Sequence, residues 1–177
     1  MKAFFDIDTQ IDFVFPAGAL YAPGAEKVIP VVAQLNQHAA SRGIPVISST
    51  CAHTEDAAEF KDWPPHCIKD TIGQKKPAAT LLPKGQYIIE KNELDVFSSP
   101  ELLPLLEKLE VDECYVYGVL TEYCVQCAIM GLLKSGRKVH LVTDAIHHLS
   151  SEASKKVVDQ FTAAGGDCVT AADALRG

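Results

Sequence analysis

The chain has 177 residues, 47% of them hydrophobic and 22% charged. This is an ordinary globular balance, long enough to bury roughly 70% of the surface its unfolded form exposes. Net charge is −7, from 23 acidic and 16 basic residues, with no Lys/Arg stripe, which argues against nucleic acid or an anionic membrane as partner and favours a neutral or cationic substrate. No apolar run reaches the roughly 18 residues of a membrane span, Asp6 arrives too early for a signal peptide, and the scattered cysteines read as reduced thiols of a cytoplasmic protein.

Strand-like and helix-like segments alternate along the chain. Ala3 to Ile7 reads as a buried strand, and the Gly- and Pro-rich stretch from Thr9 to Gly24 as a long loop. Ala25 to Ser41 carries helical periodicity (Val28, Val31, Val32, Leu35) and stops before Gly43. Ile44 to Ser49 is a second buried strand. Thr50 to Pro83 holds prolines and little periodicity and is read as mostly loop; connections this long in compact domains usually serve function. Gln86 to Glu90 is a third strand, Pro100 to Leu109 a helix, and Glu113 to Gly118 a fourth strand. Thr121 to Ser135 is a helix closed by Gly136. Lys138 to Thr143, a helix from Ser151 to Ala164, and a short strand from Asp167 to Thr170 complete the pattern. Alternation of this kind predicts a three-layer α/β/α sandwich, with a mainly parallel sheet of about six strands, as a single domain over residues 1–177.

Cys124 carries the strongest chemical signal. It lies in Tyr115-Val116-Tyr117-Gly118-Val119-Leu120-Thr121-Glu122-Tyr123-Cys124-Val125, where a strand hands over to a helix. The strand delivers the thiol to the carboxyl rim of the sheet, where open α/β folds build their sites. With Thr121 as N-cap, Cys124 falls in the first helical turn, where the helix dipole favours a thiolate and free N–H groups can receive an oxyanion. Cys67, Cys114 and Cys168 lack such a setting and read as structural.

Asp8 and Lys91 fall at the ends of the first and third strands, on the same rim as Cys124. A carboxylate there can take the thiol proton and return it to a leaving amine. A lysine can hold that carboxylate ionised.

These segments resemble the isochorismatase-like cysteine hydrolases. Asp8-Thr9-Gln10-Ile11-Asp12-Phe13 with Gly18-Ala19-Leu20 is similar to their opening motif, Gly118 to Val125 to their nucleophile segment, and Lys91 to the family lysine. Trp63-Pro64-Pro65-His66-Cys67 resembles the nicotinamidase-related branch. The resemblance implies Cys124 as nucleophile, Asp8 as general acid/base and Lys91 as the residue tuning both. It also implies an oxyanion hole from the N–H groups of Leu120 and Cys124, a cis peptide between Val119 and Leu120, and self-association into a homo-oligomer.

The same branch carries an Asp-x-His…His metal site after the second strand, where the metal holds the substrate's ring nitrogen. Here Cys51-Ala52-His53 and His66 stand in those positions, so the aspartate is replaced by Cys51. Cys51, His53 and His66 make an admissible zinc set with an open position; the alternative is a degenerate, empty site. After Lys91 the stretch Asn92-Glu93-Leu94-Asp95-Val96-Phe97-Ser98 keeps only Phe97 of the branch's Tyr-Ser-x-Phe pattern. Phe13, Trp63 and Tyr123 are nominated as pocket walls, since aromatic rings stack on flat substrates.

The expected activity is hydrolysis of a small aromatic or heterocyclic amide to acid and ammonia, through a thioester on Cys124. One alternative is a same-fold hydrolase of an N-carbamoyl or ureido compound without bound metal. Another, of a different class, is a thiol redox protein using Cys124-Val125-Gln126-Cys127, which would leave Asp8, Lys91 and the histidines without a task. A third is a silent binding protein on the same fold.

Overall fold

The computed structural model describes residues 1–176. Six strands form one sheet: β1 (Lys2–Ile7), β2 (Val46–Cys51), β3 (Gln86–Lys91), β4 (Glu113–Val119), β5 (Lys138–His147) and β6 (Asp167–Val169). Their order is β3-β2-β1-β4-β5-β6, and every pairing is parallel. The chain winds outward from β1 in one direction and then from β4 in the other, so the topological switch point lies between these two strands. Ligands of open α/β sheets bind at the carboxyl end of that crevice, between Asp8 and Cys124.

The helices are α1 (Ile11–Val14), α2 (Ile29–Ser41), α3 (Leu102–Lys108), α4 (Gln126–Lys134), α5 (Ser151–Ala163) and α6 (Ala171–Arg176). Side-chain alternation along β1 divides the core. Phe4 joins Val32, Leu35, Tyr115, Tyr117 and Ala174 on the face covered by α2 and α6. Phe5 and Ile7 join Leu102, Leu106, Ile129, Leu132 and Phe161 on the face covered by α3, α4 and α5. A central strand buried on both faces needs such a continuous apolar run.

Several boundaries differ from expectation. The stretch from Thr9 to Gly24 contains α1, because Phe13 and Val14 have core to fill. A 3₁₀ turn (Ala25–Val28) precedes α2. The sheet is wholly parallel, and β5 runs on to His147, four residues past Thr143, with a register shift against β4 between Val116 and Gly118. The terminal α6 was not foreseen; its small apolar residues, Ala171 and Ala174, give a weak signal.

The connection from 52 to 85 is mostly irregular, with 3₁₀ turns at Ala58–Lys61 and Ala78–Thr80. Buried polar contacts anchor it. Lys76 Nζ lies 3.0 Å from Asp6 Oδ1 and donates to Thr9 Oγ1 at 2.6 Å. Asn36 Nδ2 donates to Asp6 Oδ2 (3.0 Å) and to the Thr80 carbonyl (2.8 Å), and Tyr117 Oη donates to Asn36 Oδ1 at 2.5 Å. An unpaired charge at this depth would be strongly destabilising, so the network ties the loop to the sheet at one position.

Candidate active site

Asp8 follows β1 with φ +47°, a left-handed kink that ends the strand. Its carboxylate is fully buried. Oδ1 accepts from Ser49 Oγ at 2.7 Å, and Oδ2 lies 2.8 Å from Lys91 Nζ. Lys91, the last residue of β3, reaches over β2 to do this. Its ammonium also donates to the Glu93 carbonyl (3.0 Å), Cys51 Sγ (3.1 Å) and Cys124 Sγ (3.6 Å). The structure thus brings Asp8, Lys91 and Cys124 into one buried cluster.

Gly118 shapes the approach. It pairs with Ile7 across β1 and β4, has φ +120°, and a Cβ there would lie 2.1 Å from the Ile7 carbonyl oxygen. Only glycine lets β4 press this closely on β1, one residue before Asp8.

The nucleophile segment departs from expectation. Leu120, not Thr121, holds the extended cap position (φ −99°, ψ 148°), and Thr121 Oγ1 donates instead to the His147 carbonyl at 2.9 Å. Residues Thr121–Val125 form a π-helical turn before α4, a feature that often marks functional sites. The Leu120 carbonyl accepts from Tyr123 N–H (3.0 Å) and Val125 N–H (3.2 Å), the residues on either side of Cys124. The Val119–Leu120 peptide is cis, as the family resemblance implies.

A second correction concerns charge. The helix terminus was expected to make Cys124 the thiolate. Instead Cys124 shares a hydrogen bond with Cys51, and that bond, burial and the Asp8 carboxylate push its pKa well up. Cys51 is pulled down to about 6, first by the hydrogen bond from Cys124 and also by Lys91, against burial and the Asp8 charge. Burial opposes the charge of Asp8 too, but Lys91 and the hydrogen bonds of the adjoining thiols and Ser49 outweigh it, and the pKa is lowered; Cys51 Sγ donates to Asp8 Oδ2 at 3.6 Å. Asp8 is therefore ionised and placed to accept the Cys124 proton on demand.

Cys51, expected in the metal set, lies beside His53, with which it shares a hydrogen bond, and also in the Asp8 cluster. It is the register partner of Lys91 across β2 and β3, which directs its sulfur to the Asp8 cluster; the ligand atoms of Asp8, Cys51 and Cys124 lie within 4.8 Å of one another. The residue grouped with His53 and His66 is Glu59, on the 3₁₀ turn Ala58–Lys61, with all three ligand atoms within 4.8 Å. Glu59 Oε1 is 3.0 Å from His66 Nε2 and 3.3 Å from His53 Nε2. Sequence reading missed Glu59 because it sits in a loop, at no diagnostic spacing from either histidine.

The chemistry of these donors fits a metal. His53 Nδ1 contacts Asn92 Oδ1 at 3.1 Å and His66 Nδ1 contacts the Pro64 carbonyl at 2.8 Å. Both Nδ1 atoms therefore carry hydrogen, and the neutral rings offer Nε2 as the lone-pair donor, the usual outer-shell arrangement of metal-binding histidines; without an ion, and against burial, Cys51 and the Glu59 carboxylate push the His53 pKa up. His53 Nε2 is buried without a hydrogen-bond partner. Two histidines and a glutamate form a common zinc set with an open position.

Two further residues hold the site, and both lie in the opening motif. The Gln10 side chain clamps the Cys51 backbone: Nε2 donates to its carbonyl (2.8 Å) and Oε1 accepts from its N–H (2.7 Å). Asp12 accepts from the Cys67 N–H (2.7 Å) and the Ala19 N–H (2.9 Å), fastening the segment that carries His66.

Phe13, Trp63 and Tyr123, the nominated walls, all line one cavity of about 470 Å³ including its mouth. Cys51, Cys124, Glu59 and His66 open into it, as do Leu20, Leu94, Val119, Leu120 and Leu149. Trp63 meets Tyr123 edge-on at 5.5 Å. Glu122 Oε1 accepts from the N–H groups of Leu149 and Ser150, both at 2.8 Å, which pins the start of α5 beside the pocket. Cys127, the second residue of α4, is half-buried, and burial raises its pKa.

A buried thiol, carboxylate and lysine at the switch point of a parallel sheet, beside an apolar pocket with a two-histidine corner, define a cysteine-hydrolase-like site. Residues 2–173 match the isochorismatase domain, and the chain belongs to that family. Its relatives put it on the nicotinamidase-related branch. It is 26% identical to the nicotinamidase of Escherichia coli K12 over 205 residues (97% of this chain, 96% of the other). It is 24% identical to the nicotinamidase of Saccharomyces cerevisiae over 208 residues (92% and 96%). Among solved structures it is similar to the pyrazinamidase of Pyrococcus horikoshii in complex with zinc, with TM-score 0.90 and 28% identity, covering 96% of this chain and 98% of that one.

Proposed function

We propose that this chain is a cysteine-dependent amidohydrolase acting on a small, flat aromatic or heterocyclic amide, releasing ammonia and the acid. The coarser reading, a hydrolase of amide C–N bonds, draws support from its nicotinamidase relatives. The observation that carries the mechanism is the contact of Lys91 with both Asp8 and Cys124, where Cys124 lines an apolar pocket.

Asp8 takes the proton of Cys124 as the sulfur attacks the amide carbon. The oxyanion is received by the N–H groups of Leu120 and Cys124. Asp8 passes its proton to the departing nitrogen, which leaves as ammonia, and a thioester remains on Cys124. Asp8 then deprotonates a water that hydrolyses the thioester, and the proton returns to the Cys124 sulfur. Lys91 keeps Asp8 anionic through these exchanges.

His53, Glu59 and His66 would hold a zinc ion, whose role when bound is to orient a heteroatom of the substrate ring. Phe13, Trp63 and Tyr123 provide faces and edges for a flat ring. The almost wholly apolar lining favours an aromatic amide over an N-carbamoyl or ureido compound, which would leave polar groups unpaired.

The test is ammonia release from nicotinamide by zinc-replete protein, with Cys124→Ala as control. Cysteine-dependent turnover is expected. Equal release by wild type and variant would overturn the nucleophile assignment.

A further inference from the structure

Two thiols face the same cavity, and the amide mechanism uses one of them. Cys51 and Cys124 have their sulfurs within 4.8 Å of each other. Lys91 Nζ lies 3.1 Å from the first and 3.6 Å from the second, so one ammonium gathers both. Each is nearly buried, at 2% and 6% exposure, yet both line the cavity. A molecule smaller than an amide substrate reaches either sulfur by the same route. Cys127, the other cysteine near the nucleophile in sequence, is not in this cluster.

We propose that Cys51 is a resolving thiol for Cys124, so that a hydroperoxide entering the pocket converts the pair to a reversible Cys51–Cys124 disulfide. In the first step the Cys124 sulfur attacks one oxygen of hydrogen peroxide and the O–O bond breaks. Cys124 becomes a sulfenic acid, and the thiol proton leaves with the second oxygen as water. In the second step the Cys51 sulfur attacks the sulfenic sulfur, the S–O bond breaks, and the hydroxyl departs as a second water with the Cys51 proton or, where Cys51 is already a thiolate, with one from solvent. The sulfurs give up two electrons and the peroxide oxygens gain them. A dithiol reductant reverses the bond. The sulfurs must close to about 2.05 Å. Since Gln10 clamps the Cys51 backbone, side-chain rotation supplies the first part of that approach.

The consequence is protection. A nucleophile without a neighbouring thiol proceeds past the sulfenic stage to acids that thiols do not reverse. Loss of turnover on oxidation depends on Cys124 being the nucleophile, as proposed above; formation of the disulfide does not, and its test needs no substrate.

Native protein is treated with a small excess of hydrogen peroxide, alkylated, and followed by intact mass and peptide mapping. Wild type should fall from six free thiols to four, lose the mass of two hydrogens, and yield a peptide pair joined through Cys51 and Cys124 that dithiothreitol releases. Cys51→Ser, with Cys51→Ala as a second variant should one fold poorly, should instead accumulate oxygen on Cys124 that dithiothreitol leaves in place. The proposal is overturned by a Cys124–Cys127 bond, by oxygen uptake on Cys124 equal in wild type and variant, or by an unaltered Cys124 in oxidised wild type.

Discussion

Cys51 and Lys91 are register partners at the last rung of the β2–β3 pair, and the lysine ammonium donates to the cysteine sulfur at 3.1 Å. Adjacent parallel strands carry partnered side chains to the same face, so this contact follows from the pairing. It draws the Cys51 sulfur into the Asp8 cluster, beside His53, while Glu59 groups with His53 and His66.

The grouping of Glu59 with the two histidines predicts metal content. His66→Ala and Glu59→Gln should each lose zinc after dialysis against a weak chelator, while Cys51→Ala should keep a near-stoichiometric amount. Elemental analysis decides it; zinc lost from Cys51→Ala alone would restore the cysteine to the ligand set.

Cys124→Ala should lower amide turnover by at least about 10³-fold, the scale seen when a covalent nucleophile is removed. Its thermal midpoint should stay near the wild-type value, because the replaced group is small. Ammonia release and a calorimetric scan are the measurements.

Removing Lys91 should cost stability as well as rate. Lys91→Met leaves the Asp8 carboxylate buried without its counter-charge, a change of about 3–5 kcal/mol for a broken buried pair. Denaturant titration reads this directly. A loss below about 1 kcal/mol would mean the Asp8–Lys91 pair is not desolvated as described.

The Asp8 pKa is lowered on folding, net of burial, by Lys91 and its hydrogen bonds. Its ionised form therefore contributes stability that is fully present above the unfolded value of about 3.9. That contribution is lost as pH falls through the lower folded value. Between pH 5 and the acid limit, wild type should lose midpoint more steeply than Asp8→Asn. Parallel curves would contradict the shift.

Gly118→Ala should be among the most damaging small substitutions. The new Cβ would stand 2.1 Å from the Ile7 carbonyl oxygen, at φ +120°. Either β1 and β4 separate or the backbone shifts, and both disturb Asp8. A destabilisation above about 2 kcal/mol, or failure to accumulate folded protein, is expected; a near-wild-type midpoint would contradict the close approach.

Much of the architecture was legible because local patterns and global fold agree. Apolar runs such as Ala3 to Ile7, alternating with periodic helices, require a parallel sheet covered on both faces. A parallel sheet carries Asp8, Lys91 and Cys124 to one rim. The Gly118–Cys124 segment marked the nucleophile by its strand-to-helix handover, although Leu120 rather than Thr121 caps it and the turn is π-helical.

What sequence determined, then, was which residue types reach the rim, since that follows from element order and side-chain periodicity. Tertiary structure alone decided how they pair. Register made Cys51 a neighbour of Lys91, the folded loop brought Glu59 to His53 and His66, and the gathering of Cys51 and Asp8 around the buried Cys124 pushed its pKa up rather than down. Each of these depends on distances between segments far apart in the chain, and hydrogen bonding and Coulomb attraction in a buried site change steeply over an ångström.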